Sequence, residues 1–361
     1  VSSKYSRLAE ALQEHGYDAF LAWSPITVGY LADLFENGHE RFITFAVNSA
    51  GDHHLICPAL TVNQAERMGI ESLAGWRDGE DPIALFKALA DRWDLSVGIL
   101  AVDPEMPARH LLALQNLLPS ALFKDGDAII SGLMRQKDAT EIDAMTRAAR
   151  IADDAWIAIQ PYLTAGVTEA SIAQKLSELM RAAGGKPTFT IIAAGPNGAE
   201  PHHNTDESVL KPGDMVILDF GCEVDHYQSD ITRTICIGAP TDEAKTVYDI
   251  VYRAHLAGRD AIAVGKTGAD ADAAARKVIV DAGYGEFFNH RLGHGIGMNG
   301  HEAPNLAASN TEPLAVGDCF SIEPGIYLPG KFGVRIENIY TLTEDGAQSL
   351  NDLPSPVLDG V

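Results

Sequence analysis

The sequence predicts two domains, a smaller α/β domain over residues 1–130 and a larger α+β domain over residues 131–361. Three observations point there. The first 130 residues alternate strand-like apolar runs with helical patterns, as a layered α/β domain does. The remainder gathers long amphipathic helices ahead of strand-rich sequence. With 361 residues, 46 % of them hydrophobic and 21 % charged, the chain has a globular composition and enough apolar side chains for two cores.

Taken in order, an amphipathic helix spans Lys4 to His15, and strand-like runs follow at Asp18–Trp23, Glu40–Val47, His53–Pro58 and Val97–Val102. His53 and His54, at the start of one of these runs, are expected on the surface. The domain boundary is placed near Ser131. Beyond it, Thr140 is a candidate N-cap for a helix running to Tyr162. Further helices are expected at Thr168–Ala183, Thr241–Ala263 and Ala269–Ala282. Met215–Cys222 and Ile231–Ile237 read as strands, and Cys319–Leu342 alternates like paired strands broken by Pro324-Gly325 and Pro329-Gly330.

A formal net charge of −23 disfavours phosphate backbones and anionic lipid surfaces, and no basic patch interrupts it, so nucleic-acid and membrane binding are excluded as expectations. Cys57, Cys222, Cys236 and Cys319 lie far apart without CxxC spacing and read as core thiols. No apolar run reaches the roughly 20 residues of a membrane span. The first residues carry Lys4, Arg7 and Glu10 where a signal peptide would be apolar, and a cytoplasmic location is expected.

The chemistry sits in acids that interrupt apolar strands. Asp219 ends the run Val216-Ile217-Leu218, and Asp230 lies eleven positions on, so a hairpin would join the two carboxylates. Glu323 in Ser321-Ile322-Glu323-Pro324-Gly325 and Glu337 in Val334-Arg335-Ile336-Glu337 break strand patterns in the same way, and His294 lies in Gly293-His294-Gly295. One acid alone at a strand end reads as a turn cap. Four converging in an interior would repel one another unless cations neutralised them. Four carboxylates with one imidazole suit two divalent ions, and oxygen-rich ligation favours Mn2+ or Co2+, with Zn2+ or Fe2+ also compatible by ligand type.

Two rival motifs fail on context. Gly295-Ile296-Gly297-Met298-Asn299-Gly300 matches GxGxxG, but Pro304 and the flanking histidines spoil the helix start a dinucleotide site needs. His290 and His294 imitate the HxxxH of zinc proteases, yet Arg291 stands where Glu is required and Gly293 disfavours a helix. Beside the acids, His202 and His301 are candidates for donating hydrogen bonds to a developing oxyanion, while His203 and His290 stand at even odds between function and loop.

These residues resemble the pita-bread metallopeptidases, in particular the proline-specific branch of prolidase and aminopeptidase P. The strings ILDFG, SDITRT, GHGIG, SIEPGIY and VRIEN hold Asp219, Asp230, His294, Glu323 and Glu337 in that family's ligand order, across residues 131 to 361. Gly300, before His301, departs from the Ile or Val usual in that branch. Creatinase, which shares the fold, lacks the metal-site carboxylates, and methionine aminopeptidases lack a domain like residues 1–130.

The resemblance implies a pita-bread domain that hydrolyses the bond before proline in small proline-containing peptides, as a homodimer. In that reading Asp219 chelates one ion, His294 and Glu323 the other, and Asp230 and Glu337 bridge them around a bridging hydroxide. Glu323 relays a proton, and His202 and His301 hold the oxyanion and the proline end. Arg335 orients Glu337 or the substrate, and Tyr327 stands behind the ligands. A prolidase rather than an aminopeptidase P is expected, with Arg41, Arg335 or His202 supplying a cation for the free carboxylate of a dipeptide. A non-peptide amidohydrolase and a non-catalytic binding protein on the same fold are the other readings.

Overall fold

A computed structural model describes residues 4–358 and 360–361. The chain divides into two compact units, Val1–Met134 and Arg135–Val361. Ser131, the boundary expected from sequence, falls inside a helix that ends at Arg135.

The first unit contains α1 (Lys4–His15), β1 (Ala19–Ala22), α2 (Pro25–Ala32), β2 (Thr44–Asn48), β3 (His53–Pro58), α3 (Ala59–Arg67), β4 (Leu73–Trp76), α4 (Pro82–Arg92), β5 (Ile99–Val102), α5 (Ala108–Leu117), β6 (Leu122–Asp125) and α6 (Asp127–Arg135). Its six strands form one mixed sheet in the order β4-β3-β2-β1-β5-β6. Leu21, Ala46, Ile56 and Leu100 pack from the strands against Phe86, Leu89 and Leu114 of the helices. The strand expected from Glu40 starts only at Thr44, because Arg41 N–H closes a turn on Gly38 O at 2.8 Å and His39 has φ 52°. His54 is a second correction: it is buried, its Nδ1 lies 2.8 Å from Ser72 Oγ, and burial lowers its pKa to about 4.

The second unit contains α7 (Ala139–Ile159), α8 (Glu169–Ala182), β7 (Lys186–Ala194), β8 (Met215–Val224), β9 (Tyr227–Gln228), β10 (Ile231–Cys236), α9 (Asp242–Asp260), α10 (Gly268–Asp281), β11 (Gly293–Gly295), β12 (Glu302–Leu306), β13 (Cys319–Ile322), β14 (Gly325–Leu328), β15 (Phe332–Arg335), β16 (Asn338–Thr343) and β17 (Gly346–Ser349). It is built as two half-layers. In one, α7 and α8 pack on the antiparallel sheet β10-β8-β7 through Ala148, Ala152, Ile172, Leu176, Val216, Leu218 and Phe220. In the other, α9 and α10 pack on the sheet β12-β11-β13-β16-β17 through Val247, Val251, Ala271, Ala275, Phe320, Ile322, Tyr340 and Leu342. An isolated bridge between Thr232 and Glu337 joins the two sheets.

The helices start where short polar side chains can take orphan amides. Thr168, Thr241 and Thr267 each accept from a first-turn N–H, worth about 1 kcal/mol apiece. The cap of α7 is Asp138 rather than Thr140: its carboxylate accepts from Thr140 and Glu141 N–H while Glu141 reaches back to Asp138 N–H, completing a capping box. No described helix is long and apolar enough to cross a membrane. The four cysteines are free and buried.

Candidate metal centre

Period-two alternation decides where the acids point. In β8, Val216, Leu218, Phe220 and Cys222 face the helices, so Ile217 and Asp219 share the other side. In β10, Ile231 and Ile235 face the helices, which leaves Thr232, Thr234 and the preceding Asp230 on that same side. Thr232 pairs with Asp219 across the ladder, so Asp230 lies diagonally from Asp219. In the second half-layer Phe320 and Ile322 face the helices, and Ser321 and Glu323 face away; Ile336 and Tyr340 do the same for Glu337.

His294 is held by close backbone approach. A Cβ at Gly293 would come within 2.0 Å of Ser321 O, and one at Gly295 within 2.3 Å of Ala303. Only glycine lets the strands on both sides of β11 come that near. His294 N–H donates to Ser321 Oγ at 3.0 Å, and Ser321 Oγ–H donates to Glu323 Oε1 at 3.1 Å. One serine thus locks two candidate ligands.

The five residues meet. Single ligand atoms of Asp230, His294 and Glu337 lie within 4.8 Å of one another. His294 Nε2 is 3.4 Å from Glu323 Oε1 and 3.8 Å from Asp230 Oδ2. Its Nδ1 faces Gly295 O at 3.1 Å and must donate there, so Nε2 presents a lone pair. Burial, with His301 adding to it, lowers the His294 pKa to about 3 and keeps the ring neutral. A lone pair aimed at two carboxylates is repulsive unless a cation lies between.

The carboxylates make the same case. Asp219 Oδ1, Asp230 Oδ1 and Glu337 Oε1 are buried without a hydrogen-bond partner. Burial first, and then mutual repulsion, raises the pKa of Asp230 and Glu337 well above the carboxylate range and that of Glu323 to about 7. Arg335 offsets only one of the four charges. Its Nη2 donates to Asp219 Oδ2 at 2.5 Å, Nη1 to Tyr327 OH at 2.9 Å and to Pro201 O at 3.4 Å, and Nε to Thr232 Oγ1 at 3.0 Å. Thr232 Oγ1–H donates in turn to Glu337 Oε2 at 2.7 Å. Arg335 therefore holds Asp219 directly and Glu337 through Thr232. The donor set and its orphaned oxygens fit divalent cations.

Around this centre the histidines separate. The His301 ring lies 4.0 Å from that of His294, tilted by 40°, and burial, with Arg291 and His202, lowers its pKa. His202 is exposed but close enough to lower the pKa of both His301 and His290. His290 Nδ1 lies 2.7 Å from Arg291 O, so its Nε2 accepts from Tyr327 OH at 2.9 Å, and Tyr327 OH accepts from Arg335. His203 instead bonds Glu169 Oε2 at 2.9 Å. Arg41, in the first unit, directs its guanidinium to Asp78 at 3.2 and 3.3 Å and to Glu40 at 3.5 Å.

Several contributors escaped the sequence reading. Ser321 and Thr232 look like ordinary strand residues, and Glu169 like a first-turn helix acid. Lys137 pairs with Glu302 in the interior, bracing the strand that follows His301, and nothing in the local pattern links residues 165 positions apart. Gly300 is followed by β12 rather than a helix.

The model of Metallopeptidase family M24 matches residues 143–344, and that of the Creatinase/Prolidase N-terminal domain matches residues 4–134. The chain is 38 % identical to the probable dipeptidase PepE of Mycobacterium tuberculosis, over 94 % of this chain and 92 % of the relative. It is 35 % identical to the Xaa-Pro dipeptidase of Lactobacillus delbrueckii subsp. lactis, over 94 % of both. The crystal structure of a prolidase from Thermococcus sibiricus superposes with a TM-score of 0.94 at 31 % identity, covering 99 % of this chain and 98 % of that one.

Proposed function

The chain belongs to metallopeptidase family M24, and on that premise we propose that it hydrolyses the peptide bond before proline, with Xaa-Pro dipeptides as preferred substrates. The observation that carries the reading is the cluster of four carboxylates and one neutral imidazole with three orphaned oxygens. Asp219, Asp230, His294, Glu323 and Glu337 would hold two divalent ions, Mn2+ or Co2+ by ligand type. When bound, such ions lower the pKa of water and polarise a carbonyl. Relatives named Xaa-Pro dipeptidase support the substrate class.

The protein's own groups divide the remaining work. Glu323 faces His294 and takes a hydrogen bond from Ser321, which leaves its other oxygen to receive a proton from water and pass it to the leaving nitrogen. A proline nitrogen has no N–H of its own and must gain that proton to depart. His301, beside the ligand His294, and His202 donate to the oxyanion and hold the proline end. Arg335 fixes the orientation of Asp219 and Glu337. A homodimer in the cytoplasm completes the proposal.

Elemental analysis of protein reconstituted with excess Mn2+, followed by turnover of Ala-Pro, Ala-Pro-Ala and Ala-Ala, tests it. Two ions per chain and fastest cleavage of Ala-Pro are expected. Faster cleavage of the tripeptide makes it an aminopeptidase, and bound metal without turnover of any peptide defeats the hydrolytic reading. His301→Ala should keep both ions and lose about 100-fold in rate. Full activity in that variant removes His301 from the site.

A further inference from the structure

His301 is the last residue of the loop, residues 296–301, that joins β11 to β12. Gly297 and Gly300 give that loop two positions with no side chain to anchor it and wide backbone freedom. Its course must be set from outside.

A buried ion pair lies against it. Lys137 Nζ donates to Glu302 Oε1, and the two side chains are 1 % and 7 % exposed. Glu302 Oε2 accepts from Asn299 N–H at 3.3 Å, so one carboxylate ties the residue after His301 back to the loop before it. A Cβ at Gly297 would come within 2.6 Å of Glu302 Oε1 and 2.7 Å of Lys137 Cε, which puts the loop backbone directly on the pair. Lys137 is itself held. Its N–H donates to Gly317 O at 2.9 Å and its Nζ also to Arg135 O at 3.2 Å, while Arg135 grips the buried Asp318 at 2.6 and 2.8 Å. A second clamp comes from β9, where Gln228 donates through its backbone N–H to Gly297 O at 2.8 Å and through Nε2 to Met298 O at 2.7 Å.

A buried ion pair is a poor source of stability, because desolvating both charges offsets most of their attraction. What it does supply is direction, since each charge must find its partner in one geometry. Resting on the dipeptidase reading, we propose that Lys137 and Glu302 are positioning residues: their buried pair fixes the loop of residues 296–301 and so holds the His301 ring beside His294, where it can donate to the reacting carbonyl. Among the described residues neither side chain bonds a candidate ligand, so both act through His301.

Removing Lys137 alone would strand a buried carboxylate, so the test replaces both charges with apolar groups of similar size, Lys137→Met with Glu302→Met. In the metal-loaded enzyme the double variant should fold, keep both ions, and lose about 10- to 100-fold in kcat on Ala-Pro with KM changed less than about 3-fold. Amide hydrogen exchange should quicken at Asn299, Gly300 and His301. Made in a His301→Ala background, the same replacement should cost no more than about 2-fold further, because the group it positions is gone. Glu302→Gln, whose amide oxygen still accepts from Lys137 and Asn299, should stay within about 3-fold of wild type. A double variant with wild-type kcat overturns the proposal, as does one that loses metal, fails to fold, or loses equally in both backgrounds. A wild type that cleaves no peptide defeats the dipeptidase reading instead; loop exchange then decides the positioning, upheld if the double variant quickens it and overturned if it does not.

Discussion

The second unit holds two clusters of the same composition, two carboxylates and a histidine packed within bonding range, and they are physically opposite. In Glu169–His203–Asp206, hydrogen bonds answer the buried carboxylate. Glu169 Oε1 accepts from Ala194 N–H at 2.7 Å and Asn197 Nδ2 at 3.0 Å, while Oε2 faces His203 Nε2 at 2.9 Å and Asp206 N–H at 3.3 Å. In Asp230–His294–Glu337, an oxygen on each carboxylate has no donor and the imidazole offers a lone pair. The first cluster is a finished structural joint that pins the loop carrying His202. The second is complete only with cations. Residue type does not separate a metal site from a buried polar brace; the account of which lone pairs are answered does.

The largest expected effect comes from removing one answerable charge. Glu337→Gln should lose bound metal and nearly all turnover, yet raise the melting temperature of the metal-free protein, because one of four like charges is gone. Unchanged metal content would dissolve the contrast between the clusters.

Metal-free protein should also reveal the difference through pH. The folded pKa of Glu323 is raised from 4.5 to about 7 by burial, then by Asp219, against the opposing pull of Arg335. As pH rises through that window the unfolded chain releases its proton first, so the folded state binds more protons and stability falls. Asp230 and Glu337, raised by the same causes, act in the same direction. Denaturant melts at pH 5 and pH 8 should show lower stability at pH 8, with the difference shrinking when metal is added. A flat profile would mean the acids do not repel as placed.

At the other cluster, Glu169→Gln should leave metal content intact and reduce stability by about 1–3 kcal/mol, the range for leaving buried donors unanswered. Faster hydrogen exchange at Ala194 and Asp206 amides should accompany it, and metal loss would reassign Glu169 as a ligand. Smallest of all, Asn197→Ala removes contacts to Glu169 and to Ser208 Oγ at 3.2 Å and should cost about 1 kcal/mol, with both ions retained. A stability loss as large as that of Glu169→Gln would show that the loop depends on the amide rather than on the carboxylate.

The candidate ligands were legible in sequence because each acid breaks an alternating apolar strand, and a buried charge in such a place needs a physical reason. Arg291 was visible too, but only as the residue that spoils a zinc-protease motif; its hydrogen bonds to His301 and Asn305, ten and fourteen positions away, form only once the fold sets them beside it. The strand β7 was not among the expected strands, although Thr188 to Ile192 is rich in β-branched residues; Pro187, a residue strands seldom hold, stands at its second position.

By itself the sequence determined the helices, through their apolar period and threonine or aspartate caps, and the phase of each strand, hence which side chains could face away from the helices. Those are local properties, fixed by dihedral preference and by burial of the nearest apolar stripe. Tertiary structure alone decided which polar groups meet: Arg335 on Asp219, Thr232 under Glu337, Ser321 between His294 and Glu323, and Lys137 with Glu302. These pairs lie on different elements, and only when the backbone of each element is fixed do their lone pairs and protons find, or fail to find, a partner.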